Sequence, residues 1–349
     1  MSKKWIFCII VVFAVSLFGL AFSVPSATAK ETKPIEFRFA HHDPPGGPGG
    51  RSTAMWAKKV EEVTKGKVKI TMYPASALAK GNATYDAVKS NVAQIGWSTN
   101  GLYPGRFPLT DLLSQPFIGA KSALAGGMAL WNNYQKFPEV RAEYSDVKVL
   151  VLHTHQGAPI GTRKVAVKRL DDLKGLKIRA TAGGALQWLK AVGAAPLTMP
   201  PFDIYTNMEK GIIDGWTIDL IGAEGFKIYE VTDYYTLPYY YVNTFWVVMN
   251  QNAWNSLPKD IQQAIDKVSG QWAIKNIFAP IWDAGDRESI KRMGIKKDQM
   301  FTLPDADVVK AKEISKTVWA DEINKLQSAG KPAQKVFDET LRFLKEFKQ

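Results

Sequence analysis

From residue 35 onward the chain alternates between strand-like and helix-like hydrophobic spacing. The spacing predicts a strand over 35–40, then a helix that Ser52 caps and Gly66 stops, its apolar face carrying Met55, Trp56, Val60 and Val63. Val68, Ile70 and Met72 alternate with Lys69, Thr71 and Tyr73, which is the period of a strand with one buried face. A helix over 84–90 and strands over 93–97 and 147–153 continue the rhythm. This pattern predicts a βαβ lobe with a mostly parallel sheet. The run from His41 through Asp43 to Gly50, rich in proline and glycine, is expected to be irregular.

A second α/β lobe follows. Its expected elements are a strand over 177–181, a helix over 185–192, a proline-marked connection over 196–202, a helix over 204–210 stopped by Gly211, and a strand over 212–218. The dense apolar run 245–249 is placed back in the first sheet. From Pro258 an amphipathic helix carries Ile261, Ile265, Val268 and Trp272 toward Pro280, where the missing backbone donor predicts a kink or break. Another helix, over 306–327, places Val309, Ile314, Val318, Ile323 and Leu326 on one side. The expected lobes are therefore discontinuous: 33–156 with 245–284, and 157–244 with 285–349.

The N-terminal segment changes the setting of all this. Lys3 and Lys4 precede an apolar run over 5–22, and Ala27-Thr28-Ala29 is a small-x-small cleavage site. Residues 1–29 are expected to be an export signal removed after Ala29, which makes the mature protein periplasmic. An uncleaved anchor is the rival, since the run is close to bilayer-spanning length, but Pro25 and the Ala-x-Ala site favour cleavage. Cys8 is the only cysteine, so the mature chain has no disulfide, thiolate metal site or cysteine nucleophile. The formal charge of +12 suits an anionic ligand. Without a long basic run, and in an exported protein, it does not argue for nucleic acid.

Few residues carry distinctive chemistry. The four histidines form two clusters, His41-His42 and His153-x-His155, and alternate strand positions would turn the second pair to one side. A zinc site is one reading of them, although no acidic or cysteine partner completes a ligand set. No Gly-x-Ser-x-Gly elbow, HExxH helix or P-loop is present, so the common hydrolase and NTPase signatures fail.

The most informative stretch is Leu170-Asp171-Asp172-Leu173-Lys174-Gly175-Leu176-Lys177-Ile178-Arg179, followed by Met208-Glu209-Lys210-Gly211-Ile212-Ile213-Asp214-Gly215-Trp216. Tyr73-Pro74-Ala75, Arg106-Phe107-Pro108-Leu109, Gln115-Pro116-Phe117, Met249-Asn250 and Leu257-Pro258-Lys259 stand around it in order. This ordered set resembles the extracytoplasmic solute-binding proteins of the tripartite ATP-independent periplasmic (TRAP) transporters, the DctP-type family. The resemblance implies a two-lobed periplasmic binding protein fold, its lobes linked by crossing strands and a long bent helix. It also implies capture of a small organic anion by closing lobes, no catalysis and no cofactor, with the membrane subunits of a TRAP transporter as partners of a monomer.

Residue by residue, the resemblance makes Arg179 the lead ligand contact. A planar guanidinium offers paired donors that match a carboxylate, so the role has a physical reason of its own. It further points to His42 at the end of the first strand, with an ordinary loop histidine as the alternative; Trp97 and Thr99 stand where a strand reaches the edge of the first lobe, and Trp216 follows the Asp214-Gly215 turn as an aromatic wall, with core packing the alternative for both tryptophans. Asn243 and Phe245 are placed at a strand crossing, Gln156 beside a metal-bridged acid in part of the family, and Asp219 as the partner of a ligand cation or a surface aspartate. Many family members carry a second arginine where this chain has Ala158-Pro159-Ile160-Gly161. That departure favours a monocarboxylate or sulfonate with a hydrophobic or aromatic body. The alternatives are an exported metal-dependent enzyme using the histidines and a ligand receptor for a sensor kinase.

Overall fold

The computed structural model describes residues 33–348; the segment expected to be an export signal, 1–29, lies outside them. Two sheets organise the chain. The first has five strands in the order Val68–Tyr73, Ile35–His41, Ile95–Thr99, Thr244–Asn250, Val147–Thr154. Its first three strands are parallel, but Thr244–Asn250 runs antiparallel to both neighbours. The sheet is therefore mixed where the spacing predicted a mostly parallel one, because Thr244–Asn250 enters from the other sheet and not from a local βαβ crossover.

The second sheet has six short strands in the order Met300–Thr302, Tyr234–Tyr241, Ala158–Thr162, Gly215–Thr217, Ile178–Ala180, Leu197–Thr198. Two chain segments cross between the sheets. Val147–Thr154 continues through His155, Gln156 and Gly157 into Ala158–Thr162, and Tyr234–Tyr241 continues through Val242 and Asn243 into Thr244–Asn250. Ala158–Thr162 escapes the pattern reading because all five residues are buried and none alternates with a polar one. Gly161 is required there: a Cβ would lie 2.1 Å from the Trp216 ring.

Two local expectations are corrected. The first helix, Pro48–Val63, starts inside the proline-glycine run and not at Ser52. Pro48 opens it without a lost hydrogen bond, and a Cβ on Gly49 would stand 2.3 Å from Trp97, one on Gly50 2.2 Å from the Pro44 carbonyl. The glycines are there to let the helix start press against the end of the sheet. The amphipathic helix from Pro258 breaks before Pro280: Lys259–Lys267 ends, Gly270 takes φ 51°, and after a π-helical turn at Ile274–Phe278 the helix Ala279–Arg292 begins. Pro280 sits in that first turn, and a Cβ on Gly270 would lie 2.5 Å from Trp131.

Helix Asp305–Ser328 packs along Gly184–Ala191, where Trp188 Nε1 donates to the Ala311 carbonyl at 3.1 Å. The last helix, Ala333–Glu346, lies instead against Ala123–Lys136. Asn133 Nδ2 donates to Thr340 Oγ1 and Lys136 Nζ pairs with Glu339, both at 2.7 Å. Among the described residues no helix is long and apolar enough to cross a membrane.

Candidate ligand-binding cleft

Arg179 occupies the middle of the three-residue strand Ile178–Ala180 and is 0% exposed. Its Nε donates to the Met199 carbonyl at 2.9 Å and its Nη1 to the Thr217 carbonyl at 3.1 Å. Nη2 is buried with no hydrogen-bond partner, and among the described residues no carboxylate pairs with the guanidinium within 4.0 Å. Burial pulls its pKa below the ordinary arginine value, yet a guanidinium keeps its proton at neutral pH. A buried positive charge without a counter-ion is costly, so this group calls for an anion.

Arg179 faces a narrow cavity of about 30 Å³ between the two lobes. Opposite it stands an aromatic wall built at the end of the first sheet. Trp97 and Phe245, opposite each other's neighbours on antiparallel strands, stack with centroids 5.3 Å apart and planes 6° apart. His42 stacks on Trp97 at 4.9 Å and Trp282 leans on Phe245 at 5.2 Å. Trp97 is fixed by its Nε1 donating to His153 Nε2 at 2.9 Å. The polar lining comes from residues just past strand ends: Thr181 Oγ1 donates to Asn243 Oδ1 at 3.0 Å, and Thr99 Oγ1 to the Thr244 carbonyl at 3.2 Å.

Two buried carboxylates also line the cavity, each seated at a helix start. Asp43 Oδ2 accepts the Gly49 N–H at 2.8 Å, and Asp219 Oδ1 accepts the Gly222 N–H at 2.7 Å. Both are 3% exposed. Burial pushes Asp43 up to about 7 against the pull of its backbone donors. Asp219 stands well above the carboxylate range, first through burial and then through repulsion from Asp286 and Asp43. A carboxyl whose folded pKa is raised contributes stability that is whole below its ordinary value near 4 and is lost as pH rises through the folded value. The melting temperature of Asp43→Asn relative to wild type is therefore expected to climb between pH 5 and 7.5 and level off above 8. The buried histidines, shifted the opposite way, cancel in that difference. A pH-independent difference would contradict this origin.

The structure brings Arg179, His42, Trp97, Thr99, Asp219, Asn243 and Phe245 to this one cavity. Two of the residues expected beside the ligand stand elsewhere. Trp216 lies in the core of the second lobe, its Nε1 donating to Thr232 Oγ1 at 2.8 Å and its ring against Gly161 and Tyr235. Gln156 donates to Asp286 and borders a separate hollow on the hinge face with Phe117 and Tyr239. Trp216 follows the Asp-Gly turn on a strand whose next residue, Thr217, turns its carbonyl to Arg179, so a one-residue step decides which side chain faces the core. Asp219 is a buried helix cap and not a surface group.

Sequence reasoning missed Asp43, Thr181, Pro201, Phe226 and Trp282. Asp43 adjoined a residue already singled out, and its spacing to a helix start was the available signal. Trp282 carried none, since an aromatic on an amphipathic helix reads as core.

His153 and His155 do not form a metal pair. Both are buried with pKa lowered to about 3 by desolvation, and among the described residues no group of three or more His, Cys, Asp or Glu side chains could hold a metal. His155 instead ties the two crossings together. Its Nδ1 faces the Gly157 N–H at 2.9 Å and its Nε2 the Asn243 N–H at 3.0 Å. A neutral imidazole offers one acceptor nitrogen, so the ring satisfies one crossing strand at a time.

Two lobes joined by crossing strands around a cleft with an unpaired buried arginine give the architecture of the periplasmic binding type. Residues 39–326 match the bacterial extracellular solute-binding proteins, family 7 (DctP), and the chain belongs to that family. Its relatives include the protein named outer membrane transporter protein TsaT of Comamonas testosteroni, 30% identical over 224 residues, 62% of this chain and 64% of that protein. The chain thus spans slightly less than two thirds of the length of TsaT. The 2,3-diketo-L-gulonate-binding periplasmic protein YiaO of Escherichia coli K12 is 26% identical over 73% of this chain and 76% of its own. In structure the chain resembles a TRAP solute-binding protein from Rhodoferax ferrireducens T118 in complex with copurified benzoate. That match has a TM-score of 0.84 and 25% identity, over 89% of this chain and 98% of the other. Members of this family are solute-binding receptors.

Proposed function

We propose that this protein captures a small monocarboxylate or sulfonate with an aromatic or hydrophobic body and hands it to the membrane subunits of a TRAP transporter. The observation that carries this reading is the unpartnered Nη2 of Arg179, fully buried at the cleft. A bound carboxylate supplies the missing counter-ion, and its body lies on the Trp97–Phe245 stack. Among the described residues Arg179 is the one arginine or lysine lining the cavity, which favours one acid group over two. The benzoate in the Rhodoferax relative agrees with an aromatic acid. Export through residues 1–29, cleavage after Ala29, action as a monomer, and uptake driven by an ion gradient complete the reading. The lobes, expected as 33–156 with 245–284 and 157–244 with 285–349 but with the last helix, Ala333–Glu346, packed on the first, close as ligand contacts from both sides favour the closed form.

The test is a titration of refolded, ligand-stripped protein with benzoate, phenylacetate and short aliphatic acids, each paired with its neutral amide. An acid at a hundred times its dissociation constant is expected to add about 2.7 kcal/mol of stability, a shift of several degrees, while the amide adds none. Equal responses to acid and amide, or binding without loss in Arg179 variants, would sink the proposal. Turnover of a bound acid would move the reading to an enzyme.

A further inference from the structure

The charges in the cavity do not balance for a simple anion. Arg179 supplies one positive group, while Asp43 and Asp219 are two carboxyls without a cationic partner, their ionised forms disfavoured by burial and, for Asp219, by repulsion from Asp43 and from Asp286 on the adjoining helix Ala279–Arg292. His42 does not offset them: its Nε2 lies 3.7 Å from Asp43 Oδ1, but burial holds the ring neutral, with pKa lowered to about 3. Among the described residues neither Asp43 nor Asp219 pairs with a lysine or arginine within 4.0 Å. Each has one oxygen committed to a helix N–H and no hydrogen bond to a donor side chain. A monoanion would satisfy Arg179 and leave both carboxylates facing the rest of the ligand. Between the two ends the lining is aromatic, from Trp97, Phe245 and Trp282.

This inference rests on anion capture by Arg179 and narrows the ligand. We infer that the captured acid is a zwitterion, carrying a protonated nitrogen on its apolar body, and that Asp219 reads that nitrogen while Arg179 holds the carboxylate. The unpartnered Nη2 of Arg179 fixes which end of the ligand lies where. Asp219 is the better placed of the two acids to discriminate, because its helix, Leu220–Gly225, belongs to the same lobe as Arg179. Asparagine at 219 would keep an acceptor for the Gly222 N–H and remove only the charge.

The experiment compares three series by calorimetry: aminomethyl, hydroxymethyl and methyl benzoates at the ortho, meta and para positions, with straight-chain ω-amino acids and their methyl-terminated counterparts alongside. At least one amino compound is expected to bind tenfold or more tightly than its methyl partner. In Asp219→Asn that gap should close, the amino compound losing more affinity than its methyl partner. Asp43→Asn, measured in parallel, guards against misfolding of one variant, and the wild-type series alone already tests the ligand class. Methyl or hydroxymethyl compounds binding as tightly as every amino partner would overturn the cationic nitrogen. A gap that persists in Asp219→Asn would overturn the role of Asp219. Failure of wild type to bind any acid, methyl series included, would instead remove the anion-capture reading on which the inference stands.

Discussion

Replacing Arg179 with methionine is expected to weaken acid binding by roughly 30-fold to several thousand-fold, the range that about 2–5 kcal/mol implies for truncating one partner of a buried charge pair. The unliganded protein should meanwhile melt within a few degrees of wild type. The two results belong together. With the lobes closed and no ligand the guanidinium is buried and, among the described residues, has no ion pair within 4.0 Å, so its removal relieves a desolvation cost; with the lobes open it faces water and contributes little. Against that, the Met199 carbonyl loses its donor, while the Thr217 carbonyl keeps a weak one from Tyr241 at 3.3 Å. Methionine fills most of the vacated volume without a charge. Arg179→Lys should fall between, since a single ammonium cannot reproduce the fork that reaches Met199, Thr217 and the ligand at once. Affinity within threefold of wild type in Arg179→Met, read by calorimetry, would refute the assignment. A collapse of the melting temperature would show that Arg179 is instead a structural strut.

Arg179 also shows what the sequence made legible. Its type and its place in an ordered set of motifs pointed to a ligand contact, and the strand Ile178–Ala180 brings it to the buried cavity between the lobes. Strands with one polar face, such as Val68–Tyr73, announced themselves by alternation. Those buried on both faces, such as Ala158–Thr162, did not. The crossings were half visible: the apolar run ending at Met249 suggested a return to the first sheet, but nothing in Ala158-Pro159-Ile160-Gly161 marked the strand that leaves it. The glycines at 49 and 50 read as a turn because composition cannot tell a residue chosen for its conformation from one chosen because a neighbouring ring occupies its Cβ. Trp216 failed for a related reason. Whether an aromatic after a turn faces core or cleft depends on strand register, and register is a tertiary property. The carboxylates were legible as residues but not as buried, since burial of Asp43 and Asp219 follows from two lobes meeting over them.

That meeting has its own requirement, and Gly101→Val is expected to weaken ligand binding by about 5- to 150-fold while leaving the unliganded protein's stability unchanged. Gly101 sits in the turn that follows strand Ile95–Thr99 of the first sheet, and Thr181 follows strand Ile178–Ala180 of the second. A Cβ on Gly101 would lie 2.7 Å from Thr181 Cβ and 3.0 Å from its Cγ2. At another rim of the same cleft a Cβ on Gly225 would meet Gly47 Cα at 3.2 Å. The lobes therefore touch where side chains are missing. A branched residue at 101 penalises the closed form by the roughly 1–3 kcal/mol typical of overpacking, and an open form does not feel it. Because only the closed population holds ligand tightly, the apparent dissociation constant rises in proportion to the lost closed fraction. Gly46→Val is the control, since a Cβ there meets nothing within 4 Å. Small-angle scattering should show ligand-induced contraction at lower ligand concentration for Gly46→Val than for Gly101→Val. Equal affinities in the two variants would mean that closure does not depend on this contact. A fall of more than about 5 °C in the unliganded melting temperature of Gly101→Val would mean that the contact persists without ligand, so that the lobes rest closed and open only to admit it.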